Sequence, residues 1–121
     1  MNIVFDAETL CVGQSDLVTA VVYFEFEAEI NFPMKRWNDF VVVIANWWLD
    51  EFPRLSRVGS NAKFSFMDGP YWIEAKVTNV DKITLSCIED RAGFGIIYDA
   101  LVTFDELKRS LLDFANEVSH A

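Results

Sequence analysis

The sequence predicts an α+β fold in which a mostly antiparallel sheet of about five or six strands packs against two α-helices. Three observations favour this class. Apolar and polar residues alternate over 21–32, short strand-like segments separated by turn residues follow one another over 63–98, and a capped amphipathic helix is predicted over 103–118. No repeat or Gly/Ser linker divides the 121 residues, so residues 1–121 are expected to form a single domain.

The longest alternating pattern, Val21–Phe32, predicts a strand with one face on the core and the other in water. A shorter strand is expected at Ile3–Phe5, followed by a loop over 7–16. The apolar face of the long strand comprises Val22, Phe24, Phe26, Ala28, Ile30 and Phe32.

The next segment predicts a helix that begins after Asn38 and ends at Pro53. Asp39 would then lie at the positive end of the helix dipole. The β-branched run Val41–Ile44 also suits a strand, but its position between a cap and a proline favours the helix.

Four further strands are predicted in the order of a meander. In the second of them, Tyr71, Ile73, Ala75 and Val77 share one face. The four segments are Lys63–Met67, Tyr71–Thr78, Ile83–Ile88 and Phe94–Tyr98.

The last helix is predicted from a capping box formed by Thr103 and Glu106. An apolar stripe at helical spacing follows the cap and indicates the face that packs on the core. The stripe comprises Phe104, Leu107, Leu111, Phe114 and Val118.

The charge balance is the clearest feature of the composition. Nineteen acidic against ten basic residues give a formal charge of −9, which repels phosphate and attracts cationic surfaces. Direct binding to nucleic acid is therefore not expected, since it requires Lys and Arg at the phosphates. A protein partner with a basic surface fits this charge, although acidity also serves solubility alone.

The compartment is expected to be the cytoplasm. No apolar stretch approaches the roughly 18 residues of a membrane span, and residues 1–6 lack the features of a signal peptide. No contact with a membrane is expected. Cys11 and Cys87 are expected to be free thiols, as is usual in that compartment.

The search for catalytic groups indicates a protein that is not an enzyme. The single histidine, His120, stands next to the C-terminus, where nothing holds it as a base. Metal-binding, phosphate-binding and CxxC motifs are missing from the sequence, so no catalytic, cofactor or metal residue is predicted. A small carboxylate-based, metal-dependent enzyme remains the alternative.

Three acids on the predicted long strand, Glu25, Glu27 and Glu29, are the first candidates for contact with a partner. On one strand they would project from the same face about 6.5–7 Å apart, as an acidic docking strip. A solvated face with no partner is the competing interpretation.

Asp50 and Glu51 are the next candidates, because they fall in the last turn of the predicted helix, where the dipole disfavours negative charge. Acids kept at such an unfavourable position, with no nearby charge that compensates them, suggest a functional role. The competing interpretation is that Arg54 and Arg57 fold back and neutralise them.

Trp72 and Glu74 complete the predicted interface. An outward Trp beside an acid has the composition of an interface hot spot, unless a helix or loop covers it. The run Phe66–Trp72 itself is interpreted as a strand, a tight turn and a strand.

In character the chain resembles the immunity proteins of bacterial contact-dependent growth inhibition and polymorphic-toxin systems. The motifs that carry the resemblance are Trp47-Trp48-Leu49 on an apolar helix and the turn Phe66-Met67-Asp68-Gly69-Pro70-Tyr71. The resemblance implies that the chain binds and neutralises the toxic domain of a cognate effector, often a nuclease with a basic face. It carries over no contact residues. A monomer or weak dimer is expected, and a general acidic adaptor or nucleic-acid mimic is a further alternative.

Overall fold

The computed structural model describes residues 1–91 and 93–121, with all their side chains except those of Ala28 and Phe94. Within these residues, eight strands form two four-stranded antiparallel sheets, and two α-helices pack against them. The predicted α+β class is confirmed, but the single sheet of five or six strands is wrong. The elements are β1 (Asn2–Val12), β2 (Val18–Phe26), β3 (Ile30–Phe32), β4 (Asn38–Asp39), α1 (Val41–Glu51), β5 (Asn61–Ser65), β6 (Tyr71–Val77), β7 (Lys82–Asp90), β8 (Phe94–Thr103) and α2 (Phe104–Ser119).

The first sheet has β2 at its centre, with β1 on one side and β3 and β4 on the other. The continuous strand predicted over Val21–Phe32 is wrong, because β2 ends at Phe26 and residues 27–29 form a turn of 3₁₀ helix. The chain reverses there, and β3 pairs back onto β2. Glu29 supplies the reversal with a φ of 58°, a conformation uncommon for residues other than glycine and asparagine.

β1 extends to Val12, so the loop predicted over 7–16 is wrong for its first six residues. Its register with β2 shifts between Asp6 and Cys11. At this irregularity the hydroxyl of Thr9 accepts a hydrogen bond from the Val21 amide at 2.8 Å and donates one to the Asp6 carbonyl at 2.7 Å. A side chain thus replaces part of the backbone ladder, which the alternation pattern did not indicate.

The prediction that Asn38 caps the first helix is wrong, because Asn38 lies in β4 opposite Val21 and α1 begins at Val41. The predicted end is nearly correct. The helix stops at Glu51, and Pro53 lies in the short 3₁₀ turn that follows.

Asp39, only 1% exposed, ties three parts of the fold together. Its carboxylate accepts hydrogen bonds from the Trp37 indole at 2.9 Å, the Phe40 amide at 2.7 Å and the Asp68 amide at 3.2 Å. Burial raises the pKa of Asp39, and these donors oppose the rise. The turn held in this way requires glycine at position 69, where φ is 89° and a Cβ atom would lie 3.0 Å from the Trp37 ring.

The second sheet has the order β5-β6-β7-β8, which confirms the predicted meander. Its last strand continues to Thr103, five residues past the predicted end at Tyr98. Thr103 is also the N-cap of α2, and the predicted capping box is present. The Glu106 amide donates to the Thr103 hydroxyl at 3.0 Å, and the Thr103 amide donates to the Glu106 carboxylate at 3.1 Å. The latter bond lowers the pKa of Glu106.

Trp48 stands at the centre of the core and joins both sheets to both helices. Its fully buried ring lies 5.3 Å from the rings of Phe24 and Phe66 and 5.2 Å from that of Phe114. The inward residues of β6, which are Tyr71, Ile73, Ala75 and Val77 as predicted, are buried in the same cluster. Because the helices pack on this inner side, the opposite side of the second sheet faces solvent. Neither helix in the described chain combines the length and the apolar character that crossing a bilayer requires.

Candidate protein-binding site

The solvent-facing side of the second sheet, called here the outer face, contains twelve residues in register across its strands. Cross-strand pairing arranges most of them in rows, for example Lys63, Glu74, Ser86 and Asp99. The outer face comprises Asn61, Lys63, Ser65, Trp72, Glu74, Lys76, Thr84, Ser86, Ile88, Ile96, Asp99 and Leu101.

At one border of this sheet, the β5 edge, side chains of α1 close the strand. The Glu51 carboxylate accepts a hydrogen bond from the Lys63 amide at 2.8 Å, and the Trp48 indole donates one to the Ser65 carbonyl at 2.8 Å. An edge strand normally leaves such groups available for pairing with another chain. Here they are already occupied.

The charges at the β5 edge are also largely compensated. The Arg54 guanidinium lies 3.0 Å from the Glu51 carboxylate, so the interpretation that this arginine folds back is confirmed. For Arg57 no ion pair with Asp50 or Glu51 is present among the described residues. Asp50 is exposed and lines, with Glu51 and three other residues, an open cavity of about 360 Å³.

Trp72 and Glu74 lie in the middle of the outer face. The Lys63 ammonium stands 4.3 Å from the centroid of the Trp72 ring, which is a cation–π distance. Lys63 is also the cross-strand partner of Glu74. Trp72 therefore faces outward and is half-buried, but a lysine stands beside it together with the predicted acid.

The opposite border, the β8 edge, is different. In the described part of the chain, β8 pairs with β7 alone. The side chains of Ile96, Ile97 and Leu101 are 56%, 57% and 66% exposed. Ile97 is the extra residue of a β-bulge, because Cys87 and Ile88 on β7 oppose Tyr98 and Ile96.

Apolar side chains extend from the β8 edge across the outer face. Trp72, Ile88 and Ile96 are successive cross-strand partners on β6, β7 and β8. Ile88 is buried, although it lies outside the main core cluster. The row therefore ends in exposed apolar surface at the edge strand, a feature typical of interaction sites.

An acidic cavity of about 230 Å³ opens beside the C-terminal half of β8. Its acidic residues are Glu27, Asp99 and Glu106, and Phe26 and Tyr98 contribute aromatic surface with their ring centroids 5.4 Å apart. The α-amino group at the N-terminus lies 3.1 Å from the Glu106 carboxylate. For Glu27 and Asp99 no ion pair is present among the described residues.

The seven residues predicted to contact a partner do not form one strip. Glu25 lies on β2 between Asn2 and Asn31, whereas Glu27 and Glu29 belong to the turn that follows, so their placement on one strand face is wrong. Glu27 lies at the acidic cavity. The remaining four, Asp50, Glu51, Trp72 and Glu74, lie at the β5 edge and on the outer face.

Sequence reasoning missed Asp99, Ile96, Ile97 and Leu101. Part of the signal was present, because the strand predicted over Phe94–Tyr98 already contained Ile96 and Ile97. Ending the predicted strand at Tyr98 removed Asp99 and Leu101 from consideration.

The thiols and the histidine form no reactive arrangement in the described chain. Burial, assisted by the charge of Asp99, raises the pKa of Cys87 to about 12, so its thiolate is strongly disfavoured. Cys11 is exposed, and both cysteines are free. The Nδ1 atom of His120 lies 2.8 Å from the Asn116 carbonyl oxygen near the end of α2. Among residues 1–91 and 93–121, no group of three or more His, Cys, Asp or Glu side chains is arranged to hold a metal ion.

Comparison with protein-family models, with curated proteins and with solved structures finds no match for this chain. The geometry and charge of the two edges are therefore the features that bear on function. Both edges place an exposed apolar side chain beside an acid without a described ion pair, since Trp47 lies next to Asp50 at the β5 edge. The β8 edge differs in exposing three apolar side chains on a strand that has no second neighbour among the described residues.

Proposed function

We propose that this chain is an immunity-type inhibitor that binds the toxic domain of a cognate bacterial effector and blocks its basic surface. The observation that carries the proposal is the β8 edge, where Ile96, Ile97 and Leu101 are exposed next to Glu27 and Asp99. An apolar centre rimmed by charge is the usual composition of a protein-binding surface.

The apolar part would supply most of the affinity. Burying side chains of this size contributes about 1.5–3 kcal/mol each when they become fully covered. Trp72 extends the patch toward the middle of the sheet, and tryptophan is enriched among residues that dominate binding energy. Lys63 already holds the Trp72 ring, so little side-chain entropy remains to be lost on binding.

The acidic part would supply steering and selectivity. With a formal charge of −9, the whole chain attracts a cationic partner, and Glu27 and Asp99 concentrate that field at the cavity. A like-charged protein is repelled at the same place. Asp50 and Glu51 contribute less in this proposal, because Arg54 and the Lys63 amide already engage Glu51.

The proposal is tested by growth rescue. The reading frames next to this chain in its native genome are searched for a large secreted protein, and the C-terminal domain of such a protein is induced in a bacterial host with and without the chain. We expect growth to stop with the toxin alone and to resume when the chain is present. Killing that continues unchanged in the presence of soluble chain would contradict an immunity function.

A charge-matched pair of variants then locates the surface. Glu27→Lys with Asp99→Lys changes the formal charge from −9 to −5, as each substitution adds two units, and Asp113→Lys with Glu117→Lys on α2 makes the same change elsewhere. We expect the first pair to lose rescue and to slow toxin association at low salt, while the second pair retains rescue. Equal effects of the two pairs would mean that net charge alone matters. Tight binding of unrelated basic proteins, such as lysozyme and cytochrome c, would indicate a general acidic adaptor.

A further inference from the structure

The β8 edge also indicates how a partner binds. β8 has ten residues and pairs on one side only in the described chain, which leaves an edge about 30 Å long by strand geometry. About half of its N–H and C=O groups point away from β7 and can pair with a new strand. At the C-terminal end the Thr103 amide is already bonded to Glu106, so the available edge lies over residues 94–102.

From this geometry we infer that the partner contributes an extended segment that adds to β8 as a fifth strand and carries apolar and basic residues in alternation. The inference rests on the proposed function, since it specifies how the same surface engages its basic partner. Strand addition provides affinity through the main chain and specificity through alternate side chains.

The alternation follows from the two sides of β8. On the outer face, the row Trp72, Ile88 and Ile96 ends at the edge, so an added strand extends this row if it places an apolar side chain there. On the other side, the acidic cavity with Glu27 and Glu106 lies along residues 98–102, and Asp99 borders it from the outer face. A volume of about 230 Å³ suits a single long side chain, with its stem against Phe26 and Tyr98 and its cationic end at the carboxylates.

The charge of the edge argues against a second copy of this chain as the occupant. If β8 paired antiparallel with its own copy about a two-fold axis at the strand centre, Asp99 would lie opposite or beside its counterpart. Like charges directly opposite in a sheet are destabilising. A basic strand removes this repulsion and compensates the acids of the cavity.

Side chains of α1 close the other edge of the same sheet, at β5. A new strand would therefore add at the β8 edge and not at β5. Glu51 and Trp48 occupy the Lys63 amide and the Ser65 carbonyl, so a strand arriving at β5 would have to displace them. Soluble proteins normally protect long apolar edges by such contacts or by β-bulges, and β8 has a bulge at Ile97 but no side chain hydrogen-bonded to its edge over residues 94–102 of the described chain. The exposed isoleucines of β8 are therefore consistent with a binding surface kept available.

The experiment uses the full chain and an eight-residue probe peptide of alternating valine and arginine, acetylated and amidated at its ends. Backbone amide shifts are recorded by NMR during titration, and affinity is measured by fluorescence polarisation. We expect the shifts to concentrate at residues 94–102. We also expect a matched peptide with N-methyl groups on alternate amides of its pairing edge to bind at least tenfold more weakly, because the loss of two or more main-chain hydrogen bonds has about that effect. A valine–glutamate peptide should not bind.

Protein variants provide the second arm. Ile97→Lys on the β8 edge should weaken the valine–arginine peptide at least fivefold, while Leu112→Lys, an equally exposed apolar residue of α2, should not. Shifts that map to any other element would overturn the inference, as would no binding at millimolar peptide.

Two results would separate this inference from the proposed function. If the N-methylated peptide bound as tightly as the unmodified one, strand addition would be rejected. The proposed function would still stand if the chain rescued growth. A dimer in sedimentation that Ile97→Lys dissociates would identify a second copy as the occupant of β8 and overturn the inference, whatever the outcome of rescue.

Discussion

The two edges of the second sheet differ in how far their backbone groups are already occupied and in how much apolar surface they expose. At the β5 edge, Glu51 and Trp48 occupy backbone groups of the strand, and Arg54 pairs with Glu51. At the β8 edge, the backbone has no second strand among the described residues, and apolar side chains are exposed beside acids.

Under the proposed function, this difference would let one sheet be stable at one edge and bind a partner at the other. Helix α1 uses a buried and a half-buried side chain to satisfy β5, and the same residues anchor the helix to the sheet. β8 receives no such cover, and its stability comes from β7 and from its inward residues. Substitutions at the two edges should therefore differ in their effect on folding.

The largest loss of stability is expected when the hydrogen bond from the core residue Trp48 to β5 is removed. Trp48→Phe removes the hydrogen bond to the Ser65 carbonyl and leaves a cavity among Phe24, Phe66 and Phe114. The free energy of unfolding should fall by about 2–3 kcal/mol, as measured by urea denaturation. The neighbouring Trp47→Phe, at a residue 41% exposed, is the control and should change it by less than about 0.5 kcal/mol. Similar losses for both would show that the indole bond to β5 contributes little.

A smaller loss of stability is expected when the carboxylate of Glu51, which binds the Lys63 amide of β5, is removed. Glu51→Ala leaves the Lys63 amide and the Arg54 guanidinium without their carboxylate, so stability should fall by about 1 kcal/mol. Asp50→Ala in the same turn removes an acid with no described partner from the negative end of the helix dipole. It should leave stability unchanged or raise it slightly, by about 0.3 kcal/mol. The comparison would fail if Asp50→Ala were as destabilising as Glu51→Ala.

The smallest effect is expected at the β8 edge. Ile97→Lys places a charge on a side chain that is already 57% exposed, so the free energy of unfolding should change by about 0.5 kcal/mol or less. Thermal and urea denaturation of the variant test this directly. A loss above about 1 kcal/mol would mean that Ile97 is needed for folding, and its exposure could no longer be attributed to binding.

Much of the second half of the fold was predictable because its signals are local. The alternation over Tyr71–Val77 identified the buried face of β6, and Thr103 with Glu106 identified the start of α2. Both patterns depend on residues only two or three positions apart.

The first half failed where tertiary contacts replaced local rules. The alternation across Phe26 and Ile30 continues through a reversal that contains no glycine, proline or asparagine, since Glu29 itself takes the positive φ. Asn38 has the chemistry of a helix cap, but its backbone pairs with Val21 and its neighbour Asp39 is buried by the turn at Asp68. These partners are distant in sequence, so no local pattern reveals them.

The positions of the candidate site residues in the fold could be predicted only in part. The sequence indicated an acidic, aromatic surface; Glu27 lies at the cavity beside β8, whereas Trp72 lies in the middle of the outer face, on β6. Which acids are compensated depends on Arg54, Lys63 and the N-terminal amino group, whose positions follow from the assembled fold. The interface residues themselves stay a prediction.

The junction between β8 and α2 has a mechanical consequence. Thr103 ends the strand and caps the helix, and Phe104 begins the helix with no residue between them. The two elements therefore share one support and have no hinge. A partner that orders β8 would also stabilise the first turn of α2, because the bonds between Thr103 and Glu106 join the two elements. Amide exchange in that turn should therefore slow when a partner binds at β8.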